Sequence, residues 1–211
     1  MTETQTVTIE VDGAAVSASA LVELRGQLSG VLEAFRPFAA EFRDGFSLQL
    51  GWGPFLLRAD GPGRYTVVSP DYSVNSGDEV TDDLSVALWV LVGQLSVLSR
   101  ASIDEPVPTA FDDAVIVSKR ALNAPRWAMT RTNPTPGDSG WYIDVYPTPP
   151  GDSALSASEM VRYTAADLLR YNDSAVRALL LPPGIAAVVS EDSVDVVFRE
   201  SDVTILAQGP L

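Results

Sequence analysis

The hydrophobic period of this chain changes along its length, and that change restricts the fold more than any single residue does. Short runs at residues 5–11, 46–50, 55–58, 64–68, 114–118, 126–131, 141–146, 185–189 and 194–198 alternate apolar with polar residues or are rich in β-branched ones. Gly- or Pro-containing turns such as Asp12-Gly13, Gly51-Trp-Gly-Pro54, Asp60-Gly-Pro-Gly63 and Asn133-Pro-Thr-Pro-Gly137 separate several of them. Runs of this length and period predict strands joined by tight turns.

Two longer stretches change to a helical period. Leu21, Leu24, Leu28, Val31, Leu32 and Phe35 form one stripe, which predicts a helix capped by Ser19 and ended near Pro37. Leu84, Leu88, Leu91, Leu95 and Leu98 line a second helix, 84–100, with Val86, Val90 and Val97 on its other sides. A helix apolar nearly all round is either buried or half covered by a partner, so dimerisation through 84–100 is a further expectation. Thr164-Ala-Ala-Asp167 reads as a capping box opening a short helix, and Asp173 or Ser174 caps another that Pro182-Pro-Gly184 stops. The predicted class is α+β, with antiparallel sheets and a few packed helices in two small α+β domains. The polar, Pro-containing segment 102–109 places them at 1–105 (strand, helix, meander, apolar helix) and 110–211.

Composition removes whole classes of chemistry. Among 211 residues there is no Cys and no His, which excludes disulfides, thiol nucleophiles, zinc sites built on those ligands and any His-based triad. Twenty-eight acidic against 14 basic residues give a formal charge of −14, a field that repels nucleic acid and anionic lipid and attracts basic proteins. Residues 1–105 carry 15 of the acids and 6 of the bases. The N-terminus lacks a basic start and apolar block, and no apolar run approaches a membrane span, so a cytoplasmic protein is expected.

The charged residues also have plain structural readings. Asp78, Glu79, Asp82 and Asp83 precede the second helix, where its dipole favours negative charge; the ordered oxygen spacing of a calcium loop is absent. Gly61 and Gly63 are followed by no Gly-Lys-Ser/Thr, so they mark a hairpin and not a phosphate loop. Arg120, Arg126 and Arg131 lie in 114–137, a segment without an acid. Either Arg131 pairs with Asp138 across the hairpin, or the patch receives an acidic group. Ser118 and Lys119 are the one nucleophile-and-base pair, yet adjacent strand residues face opposite ways. A carboxylate pair such as Asp138 and Asp144 could support glycoside hydrolysis, but the two are six residues apart across a turn and strand with no substrate cleft evident. In Asp138-Ser-Gly-Trp141, the first two side chains can accept backbone N–H bonds in a tight turn, Gly140 can take positive φ, and Trp141 can anchor the core.

The ordered set Val117-Ser-Lys-Arg120, Trp127-Ala-Met-Thr-Arg131, Asp138-Ser-Gly-Trp141, Tyr171-Asn-Asp173 and Pro182-Pro-Gly184 resembles the immunity protein 33-like domain family of bacterial polymorphic toxin systems, over residues 112–200. The departure is Tyr146-Pro-Thr-Pro-Pro-Gly151, where family members carry an acidic, often aromatic segment. The resemblance implies a cytoplasmic immunity protein that neutralises a cognate toxin by stoichiometric binding, without catalytic residues, metal or cofactor. It makes Ser118, Lys119, Arg131, Asp138, Ser139, Gly140 and Trp141 motif residues of mainly structural role. Asp78, Glu79, Asp82, Asp83, Arg120 and Arg126 are then the candidate contacts for a cognate toxin, for which the net charge favours a basic one, and neither nucleic acid nor membrane is an expected partner. The alternatives are a secretion-linked chaperone or adaptor holding a cargo helix, and a small carboxylate-dependent hydrolase.

Overall fold

The computed structural model describes residues 3–72, 79–148 and 155–211. Asp78, and residues 149–154 of the Pro-, Gly- and Ser-rich stretch 147–158, lie outside them. The chain divides into two compact units, Met1–Val92 and Gly93–Leu211, so the segment 102–109 falls inside the second. Both are α+β, each built on one sheet.

In the first unit, β1 (Thr4–Val11) and β2 (Ala14–Leu21) form a hairpin across Asp12-Gly13, both at positive φ, the geometry that two-residue hairpin turns require. Ser19 therefore lies in a strand and does not cap a helix. Val16, Ala18 and Ala20 are fully buried on one face, while Ser17 and Ser19 hydrogen-bond Thr8 and Thr6 on the other, each at 2.8 Å. This alternation of Ala with Ser carries little hydrophobic contrast, and Ala favours helices intrinsically, so pairing with β1 decides the conformation. Helix α1 (Arg25–Phe35) starts later and buries Leu28, Val31, Leu32 and Phe35; Pro37 sits in the 3-10 turn that follows.

The meander β3 (Ser47–Leu50), β4 (Gly53–Gly61) and β5 (Arg64–Pro70) is antiparallel as expected, and β6 (Val80–Thr81) adds to β5. The sheet order β1-β2-β5-β4-β3 makes β2 and β5 parallel neighbours, with α1 in the connection between them. Phe35, Phe42 and Phe46 stack edge-on or tilted at 6.2–6.5 Å between ring centres and fill the space under α1. Helix α2 (Ser85–Arg100) begins where the Leu84 N–H donates to Ser19 O and the Leu21 N–H donates to Ser85 Oγ. The boundary between units falls within α2.

The second unit holds β7 (Ala114–Ser118), β8 (Arg126–Arg131), β9 (Asp138–Val145), β10 (Met160–Thr164), β11 (Ile185–Ser190), β12 (Val194–Arg199) and β13 (Ile205–Gln208) in the order β10-β7-β9-β8-β11-β12-β13. Every pairing is antiparallel except β7 with β9. Both sheets are thus mixed, each with a single parallel pair. The short edge strands β10 and β13 carry too little apolar alternation to read as strands alone. Two short helices, α3 (Leu168–Tyr171) and α4 (Asp173–Arg177), precede β11. Thr164 and Asp167 do form the expected reciprocal box, whereas α4 is capped by Asn172, whose Oδ1 accepts from Ala175 N at 3.2 Å.

Candidate functional site

The motif residues meet in the second unit, where β8 and β9 cross the chain segments on either side of them. Asp138-Ser-Gly-Trp141 is not a free turn: the turn is Thr135–Asp138, and the four residues form the bulged first half of β9. Between the pairs Ala114–Asp138 and Ile116–Tyr142, β9 holds two more residues than β7. Asp138 Oδ1 accepts the Gly140 N–H at 2.9 Å, Ser139 Oγ donates to Ala114 O at 2.6 Å and accepts the Trp141 N–H at 3.2 Å. Gly140 has φ +75°, and a Cβ there would lie 2.3 Å from Thr132 O. Trp141 is 1% exposed and donates its indole N–H to Leu179 O.

Arg131, 3% exposed, does not pair with Asp138. Its guanidinium donates to the carbonyls of Ser139, Val107, Pro108, Leu179 and Leu181 and to Thr109 Oγ1, at 2.7–3.2 Å. Trp141 lies beneath it, 5.3 Å from ring centre to guanidinium carbon. Burial pushes the Arg131 pKa down to about 10, against a smaller opposing pull from Asp113, which leaves the group charged at neutral pH. A planar five-donor fork can serve so many acceptors at once, and through them it ties the segment before β7 and the end of the α4 region to the β8–β9 hairpin. Sequence reasoning missed this because all but one of the acceptors are backbone carbonyls, which leave no residue-type signal.

A second cluster gathers on Asp144. Ser118 Oγ donates to Oδ1 at 2.6 Å, Arg120 Nε donates to the same oxygen at 2.7 Å while its Nη2 reaches Oδ2, and the Val145 N–H adds a further bond. Burial alone raises the Asp144 pKa; the bonds from Arg120, Ser118 and Val145 outweigh it and bring it down to about 2. Such a carboxylate is a poor general acid, and Ser118 commits its hydroxyl proton to it. Lys119 shares neither contact. Arg126 pairs with Asp195 at 2.9 Å and stacks on Tyr146, so the three arginines are separately engaged and form no common pocket.

Of the acidic candidates, Asp83 accepts the Ser85 N–H in the first turn of α2, Asp82 lies 3.4 Å from Arg58, and Glu79 is exposed beside β6. Among the described residues no group of three or more acidic side chains is placed to hold a metal ion. No helix among them is long and apolar enough to cross a membrane.

The Imm33-like domain model matches residues 93–200, just over half of the chain. The chain belongs to the Imm33-like domain family. No curated protein and no solved structure gives a match. The Imm33-like match begins at Gly93, the first residue of the second unit, and contains both polar clusters. Within the Imm33-like domain these clusters hold strands and loops together by satisfying buried acceptors. Sequence reasoning also missed a groove beside β8, lined by the turn 122–125, by Trp127, by Tyr171 and Asn172, and by Glu191.

Proposed function

We propose that this chain is a bacterial immunity protein that binds a cognate toxin stoichiometrically and blocks it without chemistry of its own. The observation that carries this is the Imm33-like match over residues 93–200. The site geometry supports it: Ser118, Arg120, Arg131, Asp138 and Ser139 all direct their polar atoms to internal bonds, a pattern suited to a rigid scaffold that presents a surface. The charge of −14 favours a basic toxin and speeds its encounter. On this reading the protein acts in the cytoplasm against a toxin made by the same or a neighbouring cell.

A cargo-holding or dimerising role for α2 finds less support. Its exposed large apolar residues, Val86 and Leu95, are nine positions apart and point to opposite sides of a 3.6-residue helix, leaving no continuous seam.

Co-expression with the toxin encoded beside it tests the reading. Growth should be rescued, a 1:1 complex should be isolated, and its association rate should fall as salt is raised. A chain that neither rescues growth nor binds any neighbouring toxin is not an immunity protein.

A further inference from the structure

Three turns converge at one end of the second sheet and enclose a groove of about 340 Å³. One wall is the 3-10 turn between β7 and β8, with Leu122 and Pro125. The α3–α4 junction adds Tyr171 and Asn172. Trp127 contributes from the start of β8, and Glu191 from the turn between β11 and β12.

The chemistry of the lining is uneven. Tyr171 packs at a tilt against Tyr163, with ring centres 4.9 Å apart, and remains 47% exposed. Glu191 is exposed and has no ion-pair partner among the described residues. Arg170, next to Tyr171 in the chain, is directed to Asp167 at 3.5 Å.

The rim is also fixed in advance. Ser174 Oγ donates to Glu191 O at 3.1 Å; Ser190 and Ser193 bond Asp195, which Arg126 holds from the other side. Trp127 donates to Ala121 O at 2.7 Å and so ties the turn between β7 and β8 to β8. Bonds of this kind favour a groove formed before binding, which lowers the entropy lost when a ligand enters.

A half-exposed tyrosine and a glutamate without an ion-pair partner among the described residues, lining one groove, favour a cation, and a planar one best: guanidinium stacks on a ring while its edge bonds a carboxylate. Resting on the immunity reading above, we infer that this groove is a toxin-contact site and receives an arginine side chain of the toxin. The acidity of the whole chain draws such a partner in, and Tyr and Arg are the residue types over-represented where binding energy concentrates.

The full chain, ¹⁵N-labelled, is titrated with N-acetyl-arginine methylamide and with the lysine and citrulline counterparts, following the Trp127 indole and the Asn123 and Asn172 side-chain amides. Saturable shifts confined to the groove are expected, strongest for arginine and weakest for neutral citrulline. Glu191→Gln and Tyr171→Ala should each weaken arginine binding by about two- to fivefold, the range that exposed cation–π contacts and ion pairs supply. Shifts of equal size for citrulline, or none in the groove, overturn the inference. In a second arm the same variants, checked by denaturation for an intact fold, are measured against the neighbouring toxin. An unchanged Kd beside a protecting wild type overturns the groove assignment and leaves the immunity function standing. A wild type that fails to bind the toxin retires the immunity function, while the arginine titration still decides the cation site.

Discussion

Gly137 and Gly140 offer a controlled test of what the bulge in β9 requires, because both have φ +75° and only their surroundings differ. An alanine at Gly137 meets nothing within 4 Å, so it carries the backbone strain alone. That strain is about 1–2 kcal/mol, partly offset by a stiffer unfolded chain, for a net loss of about 1 kcal/mol. At Gly140 the same strain is joined by a Cβ 2.3 Å from Thr132 O, more than an ångström inside ordinary contact. The neighbour is backbone and cannot swing aside. Relief means moving Thr132 away from Gly140 O, to which its N–H donates at 3.0 Å, and loosening Ser139, which Arg131 and Ala114 hold. Overpacking and one or two weakened hydrogen bonds add about 2–4 kcal/mol, so Gly140→Ala should lose about 3–5 kcal/mol in all. Guanidinium chloride unfolding, followed by the fluorescence of buried Trp127 and Trp141, measures both variants. Losses equal to within about 0.5 kcal/mol would show that conformational freedom, and not close approach, is what position 140 needs.

Arg131→Met leaves the carbonyls of Val107, Pro108 and Leu181 without a donor among the described residues, and about 3–5 kcal/mol of stability should be lost in denaturant melts. Arg131→Lys, with three donors on a flexible stem, should recover part of this; full recovery would refute the need for the planar fork. Asp144 has a folded pKa of about 2 against 3.8 for the free side chain. Because the folded value is the lower one, its contribution is present above pH 4 and fades as pH falls from about 4 toward 2. Asp144→Asn should therefore lose about 2 kcal/mol at pH 7 and progressively less below pH 4; a gap that stays constant with pH would show the shift plays no part. Trp141→Ala should lose about 3–5 kcal/mol in the same melts. An unaffected fold with toxin binding abolished would make that tryptophan a contact and not a core residue.

The period of the chain alone determined the α+β class, the β3–β5 meander, helix α2 and the strands around the motif. Those elements either alternate strongly, as Phe46 to Leu50 do, or repeat leucine at helical spacing. Local chemistry also marked the Thr164–Asp167 box, since its partners are three residues apart. What tertiary structure decided is whatever depends on a distant partner. Ala14–Leu21 has no pattern strong enough to choose strand over helix until β1 pairs with it. Arg131 could be seen as a charge in an acid-free segment, but its acceptors come from residues 107–109, 139, 179 and 181, and carbonyls are invisible in a row of side chains. Trp127, Tyr171 and Glu191 are 44 and 20 residues apart and become one groove only when three turns meet at the end of a sheet. Residues near in sequence interact at little entropic cost and so leave a local pattern; contacts across tens of residues form only after sheet formation has offset the entropy of closing those loops, and only the folded chain shows them.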